Sequence, residues 1–275
     1  MPSQDILVVI DSEAGVERRL ALVGALAKCA EIRVTGMYVS GVPATLAFAD
    51  LDGWAQLYDA FITAQRAEAM RAERAFRAAL ARLSLPGDWH YRESDMTEGV
   101  IAMARLHDLV VMGQPDPDAI PSGLRPGEVA LAAGRPALII PYAGEFAEIG
   151  RHVLVAWNGS REAARALHDA MFLIDGAEAV TVLEIDPAEG ADGDPELRAS
   201  HVVAALARRG VAAKAETMVS AGVPIAEMIL SVAADRTADL IVMGAWGHSR
   251  LREFVMGGAS RGILQAMAVP VLMSH

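Results

Sequence analysis

The sequence predicts an α/β protein of two tandem, doubly wound domains, each built on a five-stranded parallel sheet and paired with the other as a pseudo-dimer. Three observations carry this. Segments recur in the same order: Ile6-Leu-Val-Val-Ile-Asp-Ser12 as Val153-Leu-Val-Ala-Trp-Asn-Gly159, Asp108-Leu-Val-Val-Met-Gly113 as Asp239-Leu-Ile-Val-Met-Gly244, and Arg135-Pro-Ala-Leu-Ile-Ile140 as Val269-Pro-Val-Leu-Met-Ser274. Within each copy, short runs of Val, Ile and Leu alternate with longer stretches of helical period, the pattern of parallel strands covered on both faces. Hydrophobic residues at 53% and charged residues at 21% supply enough apolar surface for two cores.

In the first copy the runs predict strands near 5–11, 32–39, 89–93, 108–113 and 137–141. Its second helix, residues 54–83, passes through Trp54, Tyr58 and Phe61 into an Arg/Ala/Glu-rich stretch. Its apolar stripe reads as core-facing, with a partner surface as the alternative. The second copy predicts strands near 152–157, 179–185, 211–219, 239–244 and 270–274, and helices near 160–174, 194–209, 223–236 and 258–268. Ser160 is placed to cap the first of these, with Glu162 in the first turn where a negative charge suits the helix dipole. The stretch Tyr142–Gly150 separates a domain at 1–146 from one at 150–275. The strands at 137–141 and 270–274 are the expected meeting surface of the halves.

The bulk chemistry removes several function classes. A formal net charge of −11 argues against general affinity for nucleic acid or an anionic membrane. Lys28 and Lys214 are the only lysines, and no GxxxxGK[ST] phosphate loop is present. A single cysteine, Cys29, excludes an internal disulfide and reads as a core thiol on an apolar helix face. The N-terminus lacks a secretory pattern, and no apolar run approaches the roughly 20 residues that cross a bilayer, so the cytoplasm is expected. His90, His107, His168 and His201 show no metal-ligand spacing, and neither GxSxG nor CxxC occurs.

The chemistry concentrates in Gly244-Ala-Trp-Gly247-His-Ser-Arg250-Leu-Arg-Glu-Phe-Val-Met-Gly257-Gly258-Ala259-Ser260, which follows a strand and opens a helix. In open parallel sheets ligands bind beyond the carboxyl ends of the strands, glycines admit a ligand close to the backbone, and free N–H groups at a helix start favour an anion. Phosphate is the expected guest. His248 and Arg250 lie within the loop and could approach it, the arginine through a charge-assisted contact.

Gly244, Gly247 and Gly257 reproduce the Gly-x2-Gly-x9-Gly spacing of nucleotide-binding members of the universal stress protein family, which the chain resembles over both halves. The resemblance implies an adenine nucleotide alpha hydrolase-like fold, ATP or another adenine nucleotide in the C-terminal half, and a regulatory or protective role in stress. It carries Asn158, Gly159, Gly244, Gly247, His248, Arg250, Gly257, Gly258, Ala259 and Ser260 into the site. Two departures stand out. Gly258 replaces the hydroxyl residue that follows the third glycine in the family, with Ser260 two positions on. Asn158-Gly159-Ser160 replaces Asp-Gly-Ser, which weakens any hold on Mg²⁺. No catalytic residue is assigned, and a slow ATPase is the enzymatic alternative.

The matching loop of the first copy, Gly113 to Gly127, has lost the Gly-x2-Gly element. It carries Pro115, Pro117 and Pro121, which donate no N–H, and Asp116 and Asp118, which repel phosphate. That half is expected not to hold ATP in the same way. Asp11, at the end of its first strand, is expected to order a loop. A carrier of a non-nucleotide ligand, in an apolar pocket of this half beside the proline loop and long helix, is the remaining alternative. A further homodimer is left open.

Overall fold

A computed structural model describes residues 3–41, 54–118, 123–146, 148–187, 195–245 and 258–275. The N-terminal half runs β1 (Ser3–Ile10), α1 (Glu13–Leu26), β2 (Glu31–Ser40), α2 (Trp54–Leu83), β3 (Gly87–Glu93), α3 (Met96–Ala104), β4 (Leu109–Gly113), α4 (Pro126–Ala132) and β5 (Ala137–Ile140). The C-terminal half runs β6 (His152–Trp157), α5 (Arg161–Asp169), α6 (Met171–Ile174), β7 (Ala179–Ile185), a 3₁₀ turn (Pro195–Leu197), α7 (Ala199–Ala207), β8 (Ala213–Met218), α8 (Ile225–Asp235), β9 (Leu240–Gly244), α9 (Gly258–Ala266) and β10 (Val271–Ser274).

All ten strands form one sheet in the order β3-β2-β1-β4-β5-β10-β9-β6-β7-β8. Each half is parallel throughout, and the halves join where β5 meets β10 antiparallel, with Leu138 opposite Leu272. The two runs expected to meet therefore do so by main-chain pairing, which removes two exposed edges at once.

The apolar runs become strands because both of their faces are covered. Ile6, Val8 and Ile10 enter the core under α1, α2, α5 and α7, whereas Leu7 and Val9 enter the core under α3, α4, α8 and α9. The recurring aspartate before β4 and β9 has a structural duty. Asp108 accepts a hydrogen bond from the Asp5 N–H at 2.9 Å, within β1, and Asp239 accepts from those of Gly150 at 2.8 Å and Arg151 at 3.0 Å, just before β6.

Ser160 caps α5 as the sequence predicts, and Ser12 does the same for α1. Ser12 accepts from the Gly15 N–H at 3.2 Å, and Ser160 from that of Ala163 at 3.1 Å, each satisfying an orphan donor. The helix expected at 160–174 breaks at Ala170 into α5 and α6, and the one at 194–209 begins as a 3₁₀ turn before α7. The long α2 presents Ala69, Ala72, Phe76, Ala79 and Leu80 to the core at spacings of three and four, and its charged face carries the Glu68–Arg71 and Glu73–Arg77 pairs. Cys29 departs from expectation: it lies in the turn after α1, half-buried against the core rather than on a helix face.

Among the described residues no helix is long and apolar enough to cross a membrane.

Candidate functional site

A pocket opens at the carboxyl ends of β6, β7 and β9, where the sheet and the helices α8 and α9 diverge. Ala156, Leu183, Ile185 and Met243 from the strands and Ile225 and Ile229 from α8 give it an apolar floor. Asn158, Gly244, Gly258, Ala259 and Ser260 form its more polar side. The space, counting the open mouth, is about 680 Å³.

Of the residues singled out in the sequence, the structure thus brings together Asn158, Gly244, Gly258, Ala259 and Ser260. Gly247, His248, Arg250 and Gly257 lie outside the described residues. Gly159 stands beside the pocket and makes the turn into α5: its φ of +71° favours glycine, and an added Cβ would sit 3.4 Å from that of Leu197. Asn158 accepts a hydrogen bond from the Ser160 N–H at 3.2 Å, which folds the strand end back toward the cap.

The two described loop glycines are there for different reasons. A Cβ on Gly244 would come within 2.6 Å of the Ala163 nitrogen and 2.7 Å of the Glu162 carbonyl carbon, so this glycine lets α5 pack against β9. A Cβ on Gly258 would meet nothing within 4 Å. No contact among the described residues calls for glycine at 258, which opens the first turn of α9 directly onto the pocket.

Glu162, on the wall behind Gly244, is buried and pairs with Arg161 at 2.6 Å. Burial pushes its carboxyl up, but the hydrogen bonds from Arg161, its own backbone N–H and Ser160 together hold it below the usual range. Trp157 points its indole to the other face, donating to the Leu197 carbonyl at 2.6 Å. Among the described residues no group of three or more His, Cys, Asp or Glu could hold a metal ion, and the neutral amide of Asn158 is a poor substitute for a magnesium-binding carboxylate.

The apolar floor was missed by sequence reading. Its six residues come from four elements spread over 156–243, and the available signal was position: each lies at a strand's carboxyl end or in the first turns of α8.

The N-terminal half also has a pocket, of mixed lining, in which the charged and polar Asp11, Ser12, Arg18, Arg19, Gln114 and Asp116 stand beside Ile140 and Pro141. This pocket borders the start of the proline loop through Gln114, Pro115 and Asp116, and none of its lining residues comes from α2. Asp11 binds Arg19 through both oxygens, at 2.8 and 2.6 Å. Burial pushes the Asp11 carboxyl up, and the Arg19 charge with hydrogen bonds from Arg19 and Ser12 outweighs it, leaving the group below its ordinary value.

The fold and this site define a tandem, doubly wound α/β protein with a glycine-lined pocket at the strand ends of its second half. Residues 150–275 match the universal stress protein family. A universal stress protein from Archaeoglobus fulgidus superposes on 98% of this chain and 97% of its own with a TM-score of 0.75 at 17% identity. A functionally unknown protein from Pseudomonas aeruginosa covers 98% of this chain and 92% of its own, with a TM-score of 0.57 at 17% identity. At such identities the likeness establishes the fold. No curated protein matches the chain.

Proposed function

We propose that the C-terminal half binds an adenine nucleotide and that its occupancy serves a regulatory or protective stress role. The observation that carries the reading is Gly258: a glycine with no packing reason among the described residues, at the start of a helix, facing a pocket with an apolar floor. A flat heterocycle suits the slot between Leu183, Ile185, Ile225 and Ile229, while the first amides of α9 suit phosphate. The match of residues 150–275 to the family supports the same ligand, through the glycine spacing.

The proposed activity is binding rather than turnover. The described residues do not fit a tightly held magnesium ion. Titration calorimetry with ATP on the full chain tests the reading: saturable one-site binding is expected, and a folded sample that takes up no heat at about 1 mM ATP would overturn it.

A further inference from the structure

Gln114 stands at the head of the altered loop in the N-terminal half, and its side chain is committed to the C-terminal half. Its Nε2 donates to the Leu264 carbonyl at 2.8 Å and to the Gln265 carbonyl at 3.3 Å, partners about 150 residues away in sequence. Its Oε1 accepts from the Tyr142 N–H at 3.2 Å, and only 7% of the residue is exposed.

Leu264 and Gln265 lie in the last turn of α9, where carbonyls lack intrahelical partners. Gln114 is therefore a C-terminal cap supplied from the other half. The opposite end of the same helix begins at Gly258, on the pocket. With nine residues, α9 is about 13 Å long. So short a helix is marginal by itself, and loss of its last turn leaves too few hydrogen bonds to hold the first.

The device is one-sided. Gln114 and Ala245 hold matching places, each donating its main-chain N–H across the sheet at 2.7 Å, to Ile140 and Ser274 respectively. Alanine has no side chain with which to return the cap to α4. The half that has lost the glycine pattern thus steadies the helix that opens the pocket of the half that keeps it.

We propose that Gln114 is a positioning residue for the nucleotide site, acting through α9 and coupling the occupancy of the C-terminal pocket to the junction between the halves. This rests on the nucleotide reading above. It gives the N-terminal half a task without a nucleotide of its own.

The test uses the full chain and ATP as the probe. Replacing both polar groups in Gln114→Leu is expected to weaken ATP binding about five- to tenfold, the range that one lost hydrogen-bonded cap transmits, and to speed amide exchange at residues 258–263 as well as at 264–266. By reciprocity, saturating ATP should shift the side-chain amide resonances of Gln114 in the unaltered protein, a measurement that needs no variant to fold. Faster exchange confined to residues 264–266 with unchanged ATP affinity would make Gln114 a merely structural cap and overturn the inference. So would side-chain amide resonances indifferent to ATP. If the unaltered chain binds no ATP, the nucleotide reading itself fails, a result separate from binding that ignores Gln114.

Discussion

The two halves share one architecture and treat the same region above their sheets in opposite ways. Leu124 and Gly258 hold equivalent places, each thirteen residues before the equivalent β5 and β10 positions Ala137 and Val271. Leu124 is 5% exposed within the apolar cluster that includes Val9, Val39, Met96 and Val100, whereas Gly258 leaves its space open. Val9 likewise stands where the pocket has the smaller Ala156. One half has filled the region with side chains; the other leaves it open.

The strand ends differ in charge as well. Asp11 is neutralised by the buried Arg19, seven residues after the cap Ser12, while the residue seven after Ser160 is Leu167 and Asn158 remains exposed. The lesson is that two modest changes, a larger apolar residue in the slot and an internal ion pair at the strand end, reshape this region without change of fold.

The most forceful way to break this contrast is to install the residue of one half in the other. Gly258→Leu should reduce ATP affinity at least about a hundredfold, because its side chain enters the pocket, while the melting temperature stays within a few degrees, since among the described residues no atom lies within 4 Å of the new Cβ. Calorimetry and thermal melting on one sample check both parts.

Asp11→Ala should cost about 3 kcal/mol in urea unfolding, since it leaves the Arg19 guanidinium buried without its carboxylate. The pH dependence follows from the same pair. A carboxyl held below its ordinary value stabilises the fold fully above the unfolded-state range, and that contribution disappears as pH falls through the depressed value. Acid titration should therefore narrow the gap between the parent and Asp11→Asn.

Leu124→Ala should cost about 2 to 3 kcal/mol by opening a cavity, yet ATP stoichiometry should stay at one per chain, because the Asp11–Arg19 pair and prolines remain. A second bound ATP would show that Leu124 alone closed the first half. Gly244→Ala sharpens the two-glycine distinction: a loss of about 1 to 3 kcal/mol is expected from the clash with the start of α5, with any fall in ATP affinity secondary. Smallest of all, Arg236→Ala on the exposed Glu216 pair should change stability by less than about 1 kcal/mol.

Much of the fold was legible because it is written in local terms. The runs at 152–157 and 179–185 coincide with β6 and β7, and α2 covers the predicted 54–83. The caps Ser12 and Ser160 act within three residues of themselves, and the pairing of β5 with β10 follows from two apolar edges that need a partner. The breaks at Ala170 and before Ala199 were not legible, because nothing in their composition interrupts the helical period.

The site was legible in part. Asn158, Gly244, Gly258, Ala259 and Ser260 were found through spacing and do line one pocket. Spacing could not tell that Gly244 is a glycine for the sake of α5, or that Arg19 would consume Asp11.

By itself the sequence determined the repeat, the parallel strands and where along the chain a glycine-rich turn would meet a helix, because periodicity, propensity and capping act over a few residues. Tertiary structure alone decided that Leu183, Ile185, Ile225 and Met243 share one floor, that Leu124 closes what Gly258 opens, and that Gln114 reaches α9. Those contacts join residues far apart in the chain, and which of them touch is set by the packing of whole elements, not by any neighbour in sequence.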